Sequence, residues 1–273
     1  MTDYNVLFLD IDGTILQPDG TIEASTKSAI RQAQEQGLEV FLATGRPLHE
    51  IAYIAEQLDI HSFIGYNGAY ASYQGSVIVN EPMDSDLILH YMKTAEKQEH
   101  DMLMYTSKQN LFTSLEPEPV KAMIDYLNFK NNDLISVEHS HEVLGVTLLN
   151  ITANDLQYYE TSTNIQFTPV LAKDVDGRNF YDAIRHNVNK GYAVTQVLKH
   201  LNLPAESAIA FGDGLNDKEM LAVVGEGFAM ENAHPSLFTY AKHHTSAVTD
   251  GGVFDGLAAL GVIPHHKAAR QRS

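Results

Sequence analysis

Short apolar runs that end in polar residues are the feature that most constrains the fold of this chain. In "VLFLDIDGT", the run Val6–Leu9 leads directly to Asp10 and Asp12. "LEVFLAT" and "SAIAFGD" repeat the pattern farther along, and segments with helical spacing separate these runs. Continuous apolar strands that alternate with helices are typical of a parallel sheet with both faces covered. The sequence therefore predicts an α/β fold.

The middle of the chain has a different pattern, in which strand and helix candidates alternate as in an α+β domain. The strand candidates are residues 143–152 and 165–171, and the helix candidates are residues 84–98 and 117–128. We expect a doubly wound parallel-sheet core formed by residues 1–82 and 188–273, with residues 83–187 inserted as an α+β domain. Hinges are expected near Pro82 and near residues 186–189.

The charge balance limits the partners. With 18 Lys and Arg residues against 35 Asp and Glu residues, the formal net charge is −17. An acidic surface of this kind repels nucleic acid and anionic lipid. No apolar run approaches the roughly 18 residues that a membrane span requires, no secretory signal is visible, and the chain has no cysteine. We expect a soluble cytoplasmic protein, a monomer or a weak homodimer, that binds neither nucleic acid nor membranes.

Four clusters of polar residues fall at predicted strand ends or at the starts of the following helices. They contain Asp10 and Asp12; Thr44, Gly45 and Arg46; Lys190; and Asp213, Asn216 and Asp217. Ligands bind at the carboxyl edge of an α/β sheet, where such strand ends meet. Each cluster alone fits an ordinary turn or helix cap. Their joint occurrence at one sheet edge predicts a functional site.

The residue types at this edge indicate phosphoryl transfer. Several carboxylates cannot stay ionised side by side without a cation, because like charges raise each other's pKa. Oxygen ligands without histidine or cysteine suit a hard ion such as Mg²⁺. A lysine and a threonine beside that ion suit phosphate, and aspartate can act as a nucleophile that becomes phosphorylated. The combination predicts chemistry through a phospho-aspartate.

The order of the motifs points to a known family. "DIDGT", "TGR", "NKG" and "GDGLND" resemble the four motifs of the haloacid dehalogenase superfamily of phosphohydrolases, in the same order. "YNGAY", "AMENAHPSL" and "TDGGV" resemble segments of its Cof-type branch, subclass IIB. The resemblance implies a Rossmann-like core and an inserted α/β cap of type C2B, which acts as a lid and supplies substrate specificity.

The resemblance also implies catalytic and metal-binding roles. Asp10 would attack phosphorus as the nucleophile, and Asp12 would be the general acid and then the base that activates water. The carboxylates of Asp10 and Asp213, with the backbone carbonyl of Asp12, would hold Mg²⁺. Asp217 would support the metal shell from behind.

A second set of residues would bind the phosphoryl group, again by resemblance. Its members are Thr44, Lys190, Asn216 and the N–H groups near Ile11 and Gly45. Two neighbours are left open. Arg46 either contacts the substrate or pairs with a nearby carboxylate. Asn67 is expected in a turn, and whether it also contacts the substrate as part of the pocket wall is left open.

We therefore expect a Mg²⁺-dependent phosphatase that acts on a small phosphorylated metabolite, either a sugar phosphate or a compound such as pyridoxal phosphate or FMN. One alternative is a phosphomutase or phosphotransferase of the same superfamily, in which phospho-Asp10 passes its group to a second hydroxyl. Another is a non-catalytic sensor that binds a phosphorylated metabolite. The complete set Asp10, Asp12, Lys190 and Asp213 argues against the sensor, which needs no proton donor.

Overall fold

The computed structural model describes residues 4–127, 129–161, 163–170 and 178–265. In chain order, the strands in these residues are β1 (Val6–Leu9), β2 (Glu39–Ala43), β3 (Ser62–Gly65), β4 (Tyr70–Tyr73), β5 (Ser76–Asn80), β6 (Asp101–Tyr105), β7 (Asn110–Phe112), β8 (Asn132–Leu134), β9 (Gly145–Ile151), β10 (Ile165–Pro169), β11 (Asn179–Arg185), β12 (Ala208–Gly212), β13 (Glu226–Met230) and β14 (His243–Thr245). The α-helices are α1 (Ala24–Glu35), α2 (Ala52–Leu58), α3 (Ser85–Gln98), α4 (Glu118–Leu127), α5 (Lys190–Leu201), α6 (Lys218–Val223) and α7 (Gly252–Ala259).

The packing divides the chain into two compact units. The first contains the described residues up to Gly45, Tyr53–Ile78 and the described residues from Lys190 onward. The second contains Arg46–Ala52 and the described residues of Val79–Asn189. The short segment Arg46–Ala52 therefore groups with the inserted unit, although both of its sequence neighbours belong to the first. The domain limits and hinges expected from the sequence stay predictions.

The first unit is built on a sheet with the strand order β14-β13-β12-β1-β2-β3-β4-β5. The strands from β14 to β3 pair in parallel, and β4 then returns antiparallel to β3. Strand β1 lies inside the sheet, and its four residues Val6–Leu9 are fully buried. An uninterrupted apolar strand fits this position, because helices cover both faces of a parallel sheet. The predicted α/β class is confirmed.

The strand register sets where the sheet edge lies. Leu9 at the end of β1 is level with Leu42 of β2 on one side and Phe211 of β12 on the other. The residues that follow these three strands therefore leave the sheet at the same edge. This alignment brings together chain segments that are about 30 to about 200 residues apart in sequence.

Two helix pairs accompany the sheet, with α1 packed against α7 and α5 against α6. The second pair is close because α5 carries Gly191, where an added Cβ would lie 2.6 Å from the backbone of Glu219. A residue with a side chain at position 191 would therefore push α5 away from α6. Since α5 begins at Lys190, this contact also determines where the lysine enters the core.

The second unit has a sheet of strand order β10-β11-β9-β6-β7-β8, which is antiparallel except for the pair β7 and β8. Helix α3 begins after Asp84, whose side chain accepts a hydrogen bond from Leu87 N at 3.0 Å, as expected of a helix cap. Buried α3 residues such as Ile88 and Tyr91 pack on one apolar cluster of the unit, and Val120 and Met123 of α4 pack on another. The predicted α+β insert is confirmed.

Within the part of the chain that the structure describes, no helix is long and apolar enough to cross a membrane.

Candidate active site

The ends of β1 and β12 bring two aspartates to one place. Asp10 follows β1, and its backbone N donates to the carbonyl of Phe211 in β12 at 3.0 Å, which ties the two strand ends together. Asp213 follows β12 directly. Asp217 lies four residues farther on, at the start of α6. Carboxylate oxygens of Asp10, Asp213 and Asp217 lie within 4.8 Å of one another, the one such acidic or histidine-containing group found among the described residues.

A buried lysine sits between two of these carboxylates. Lys190 Nζ donates to Asp10 Oδ1 and to Asp217 Oδ1, each at 2.6 Å. The side chains of Lys190 and Asp217 are fully buried, and that of Asp10 is 8% exposed. A lysine in the core without such partners would carry a large desolvation cost. The three groups therefore depend on one another for burial.

The electrostatics of the cluster leave it short of positive charge. Burial raises the pKa of Asp10 well above its ordinary value, and the Asp217 charge adds to this effect while Lys190 opposes it. Burial, with a further contribution from Asp217, raises the pKa of Asp213 to about 6. Burial lowers the pKa of Lys190, but the Asp10 and Asp217 carboxylates outweigh this and raise it above the ordinary lysine value. One lysine does not neutralise three carboxylates, so the site favours an added cation.

Asp217 is held more tightly than the other two carboxylates. Its Oδ2 accepts hydrogen bonds from the backbone N of Asp213 and of Gly214, each at 3.0 Å, while its Oδ1 accepts from Lys190. Both oxygens thus have partners within the protein. Asp217 is suited to orient the turn that carries Asp213, in the supporting role that the resemblance implies.

The turn after β1 places Asp12 near the cluster. Asp12 is exposed, and its charge contributes to raising the pKa of Asp213, after burial and the Asp217 charge. Gly13 has φ +80°, and a Cβ at this position would lie 2.1 Å from Asp213 Oδ2. Only glycine fits here, because the backbone passes directly against the carboxylate and has a left-handed conformation.

The predicted phosphoryl-binding residues lie on the neighbouring strand ends. Thr44 is buried after β2, and its backbone carbonyl accepts from Asn67 N at 3.1 Å. Asn216 Nδ2 donates to Asn67 Oδ1 at 3.0 Å, so Asn67 links the Thr44 and Asn216 loops. Gly45 lies against the same side chain, since an added Cβ would be 3.0 Å from Asn67 Oδ1.

Ile11 and Arg46 differ from this group. Ile11 is fully buried, and its carbonyl accepts from Leu16 N at 2.8 Å within the turn that follows β1. Arg46 begins the segment that groups with the second unit, while Gly45 belongs to the first. The phosphate-binding and substrate-binding roles of these residues stay predictions.

Asn232 is a site residue to which the sequence alone assigns no role. Its Nδ2 donates to the carbonyl of Gly13 at 2.8 Å and lies 3.3 Å from Asp213 Oδ2, and its Oδ1 accepts from Val248 N at 2.9 Å. It therefore braces the turn after β1 against the segment after β12. The segment "AMENAHPSL", which contains Asn232, contributes to the family resemblance. Nothing in its residue types, however, distinguishes this asparagine from one in a surface turn.

Comparisons with known proteins agree with this geometry. A family model described as haloacid dehalogenase-like hydrolase matches residues 7–257. YkrA of Bacillus subtilis (strain 168), whose name assigns it to the phosphatases, is 28% identical in an alignment of 278 positions that covers 96% of this chain and 99% of that protein. The HMP-PP phosphatase of Escherichia coli O6:H1 is 28% identical in an alignment of 249 positions that covers 86% of each protein.

Solved structures show the same fold. A protein from Geobacillus kaustophilus HTA426 superposes with a TM-score of 0.86 at 26% identity, over 95% of this chain and 100% of that chain. The subclass IIB sugar phosphatase BT4131 superposes with a TM-score of 0.78 at 24% identity, over 95% and 100% of the two chains. The second likeness concerns the fold only.

Three carboxylates and a buried lysine at the carboxyl edge of an α/β sheet, together with relatives named as phosphatases, place the chain among the hydrolases. The chain belongs to the haloacid dehalogenase-like hydrolases. The predicted superfamily is confirmed, and so is the prediction of a phosphatase. The assignment to subclass IIB stays a prediction.

Proposed function

We propose that the protein is a Mg²⁺-dependent phosphatase that hydrolyses a small phosphorylated metabolite through an aspartyl-phosphate on Asp10. The observation that carries the proposal is the group formed by Asp10, Asp213 and Asp217, whose oxygens lie within 4.8 Å of one another, with Lys190 donating to two of them. A structural ion pair needs one carboxylate for one lysine. Three carboxylates around a lysine at a sheet edge are better explained by a cation and an anionic substrate.

The donor set fits Mg²⁺. All three side chains offer oxygen, which this ion prefers. Burial, with a smaller contribution from the Asp217 charge, raises the pKa of Asp10 and of Asp213. Asp10 and Asp213 are the better direct ligands, because both oxygens of Asp217 already accept hydrogen bonds from the protein. Asp12 would contribute its backbone carbonyl. When bound, the ion supplies positive charge to the phosphoryl oxygens.

The chain's own residues would then perform two displacements. A carboxylate oxygen of Asp10 attacks phosphorus, the bond from phosphorus to the leaving oxygen breaks, and Asp12 gives its proton to that oxygen. In the second step Asp12 takes a proton from water, the water oxygen attacks phosphorus, and the bond to Asp10 breaks to release phosphate. General acid help is typically worth ~10²–10⁴-fold, and it matters most for poor leaving groups such as alkoxides.

Lys190 would stabilise the transferring group through charge. Its ammonium is already fixed by Asp10 and Asp217 at 2.6 Å, so little reorganisation is needed when negative charge develops nearby. Thr44, Asn216 and the N–H groups near Ile11 and Gly45 would bind the remaining phosphoryl oxygens. Catalysis of this type rests mainly on positioning and charge stabilisation.

The substrate belongs to the class of small phosphorylated metabolites. One relative is named for HMP-PP, and this compound belongs in a substrate screen beside sugar phosphates, pyridoxal phosphate and FMN. We expect the inserted unit to select among them. The kcat/KM value for each compound is the measurement that ranks them.

The test compares the wild-type protein with Asp10→Asn on an aryl phosphate, with Mg²⁺ and with EDTA. We expect Mg²⁺-dependent turnover that Asp10→Asn lowers by several orders of magnitude, because the amide cannot attack phosphorus. Asp19→Asn is the matched control, since it makes the same change of side chain at an exposed aspartate that is not part of the acidic cluster. Activity of Asp10→Asn within a few-fold of wild type would remove Asp10 from the nucleophile role.

The same assay separates the alternatives. Product analysis in the presence of a sugar acceptor distinguishes hydrolysis from transfer, because a phosphotransferase forms a new phosphate ester in place of inorganic phosphate. No turnover in either Mg²⁺ or EDTA, on any compound of the screen, would favour the non-catalytic sensor.

A further inference from the structure

The turn that follows β3 has a backbone conformation that is rare for residues with side chains. Tyr66 and Asn67 both have a φ of +53°, and Gly68 continues the run with a φ of +95°. The left-handed region is unfavourable for residues that carry a Cβ, although asparagine tolerates it better than tyrosine does. Such conformations persist only where the surrounding structure holds them, and they are concentrated at functional sites. The contacts of Asn67 indicate what this turn does.

The backbone of Asn67 is tied to the end of β2. Asn67 N donates to the carbonyl of Thr44 at 3.1 Å, and Thr44 N donates to the carbonyl of Ile64 in β3 at 2.8 Å. Thr44 is thus bound through both of its backbone groups, to β3 and to the turn after it. All these residues belong to the first unit, so Asn67 has a defined position at the sheet edge that carries Asp10.

The side chain of Asn67 lies between two of the predicted phosphoryl-binding groups. Its Oδ1 accepts from Asn216 Nδ2 at 3.0 Å. A Cβ added at Gly45 would lie 3.0 Å from the same Oδ1 and 3.2 Å from Asn67 Nδ2, so the amide packs directly against the Gly45 backbone. One amide therefore sets the spacing between the loop after β2 and the turn after β12.

The same contact fixes the orientation of the Asn216 amide. Its Nδ2 end is directed to Asn67, and its Oδ1 end lies close to the Gly214 backbone, where an added Cβ would be 2.5 Å away. An amide nitrogen carries two hydrogens, and the hydrogen bond to Asn67 uses one of them. Because Asn216 is exposed, the second hydrogen can be donated to a bound anion.

We propose that Asn67 is a positioning residue, which holds the amide of Asn216 so that its second Nδ2 hydrogen is donated to a phosphoryl oxygen. The inference rests on the proposed function, because it gives Asn216 a phosphoryl-binding role. Asn67 is not a catalytic residue in this arrangement, since it acts on the phosphoryl group only through its neighbour. Its effect on phosphate binding should therefore disappear when the Asn216 amide is removed.

Asn67→Gly is the variant that tests this role. It removes the side chain and keeps the backbone unstrained, because glycine adopts positive φ readily. We expect the affinity for inorganic phosphate, measured by calorimetry in the presence of Mg²⁺, to fall by about 10-fold, the order of magnitude that one hydrogen bond contributes. The kcat/KM for an aryl phosphate should fall by about 10- to 10²-fold, since misplacement of a positioned group by about 1 Å can cost the larger factor.

A double-mutant cycle with Asn216→Ala tests whether the effect passes through Asn216. In the Asn216→Ala background, Asn67→Gly should change phosphate affinity and kcat/KM by no more than about twofold, because the amide that it orients is gone.

The Mg²⁺ response separates positioning from a general disturbance of the site. The turn that carries Asp213 is held by Asp217 Oδ2, which accepts from Asp213 N and Gly214 N at 3.0 Å, and neither bond involves Asn67. We therefore expect the half-saturating Mg²⁺ concentration of Asn67→Gly to stay within about twofold of wild type.

Asn202→Gly is the matched control. Asn202 is also an asparagine of the first unit with a left-handed backbone, at φ +60°. It follows the end of α5, a helix that has Lys190 at its other end. The substitution removes the same side chain from the same backbone conformation, so the two variants should have similar effects on the thermal unfolding temperature. Phosphate affinity and kcat/KM of Asn202→Gly should stay within about twofold of wild type.

Several results would overturn the proposal. They are unchanged phosphate affinity and kcat/KM in Asn67→Gly, a loss from Asn67→Gly that is equally large with and without Asn216, an equally large loss in Asn202→Gly, and a rise in the half-saturating Mg²⁺ concentration as large as the loss of phosphate affinity. Failure of the proposed function is a separate result, because it appears in proteins with Asn67 intact, as absent wild-type turnover or as an active Asp10→Asn variant.

Discussion

Replacing Lys190 by methionine tests whether the acidic cluster depends on the buried ammonium. The substitution keeps most of the aliphatic volume and removes the charge. Asp10 and Asp217 then lose a donor at 2.6 Å and remain buried with their negative charges. Removing one partner of a buried ion pair leaves an uncompensated charge, which is far more costly than losing a surface pair.

The expected loss follows from this geometry. Breaking a buried pair typically destabilises a protein by about 3–5 kcal/mol. We expect a decrease in the free energy of unfolding in this range at pH 8, because two buried carboxyl groups lose their shared donor. Folding raises the pKa of Lys190, so its charge stabilises the fold at every pH below the ordinary lysine value of about 10.4 and is lost only at higher pH. The deficit of the variant should shrink in mild acid, as protonation neutralises Asp10.

Urea unfolding at pH 8 and pH 5, in EDTA so that bound metal does not hide the difference, measures the effect. Lys218→Met is the control, since Lys218 makes a surface pair with Glu219 at 3.4 Å and is 43% exposed. Exposed pairs are worth about 0–1 kcal/mol. A Lys190→Met deficit no larger than that of Lys218→Met at pH 8 would refute the view that the cluster needs this lysine.

Two further predictions concern a close backbone contact and a partly buried acid. Gly13→Ala should weaken Mg²⁺ binding, raising the half-saturating Mg²⁺ concentration for activity by about 10-fold or more, since its Cβ would lie 2.1 Å from Asp213 Oδ2. Asp182→Asn should stabilise the protein at neutral pH. Burial raises the pKa of Asp182 to about 6, partly offset by the hydrogen bond from Thr147 Oγ1 at 2.5 Å, so the folded wild type loses stability as the pH rises from about 4 to about 6.

Each of these has its own control. Gly20 has the same φ of +80° with no atom within 4 Å of an added Cβ, so Gly20→Ala should share the backbone strain but keep the Mg²⁺ dependence. An unchanged Mg²⁺ response in Gly13→Ala would show that Asp213 is free to shift. For Asp182→Asn, urea unfolding from pH 4 to pH 7 should give a difference from wild type that grows up to about pH 6 and then levels off. A difference independent of pH would mean that Asp182 does not titrate in this range.

Much of the first unit could be predicted from local sequence. The run Val6–Leu9 is apolar at every position, which is typical of a strand buried on both faces, and the structure buries all four residues. Asp10 and Asp213 each follow such a run directly, so a parallel sheet had to bring them to the same edge. The family resemblance depends on the same local segments, and the match to the family model confirms it.

The contact between Asn67 and Asn216 could not be predicted in this way. The two residues are 149 positions apart, and asparagine is a residue type that is common on surfaces. Asn232 is a similar case, since it lies 219 residues from the Gly13 carbonyl to which it donates. Only packing distinguishes an amide with protein partners from a solvated one.

Local order along the chain thus determined the strands, the sheet class and which residues leave the sheet at its carboxyl edge, because apolar periodicity and turn residues act over a few positions. The tertiary structure alone decided which partners those residues have. It put Lys190 between Asp10 and Asp217, and it grouped Arg46 with the inserted unit. Hydrogen bonds and charge pairs act through space over about 3 Å, and the sequence does not record which distant residues come that close.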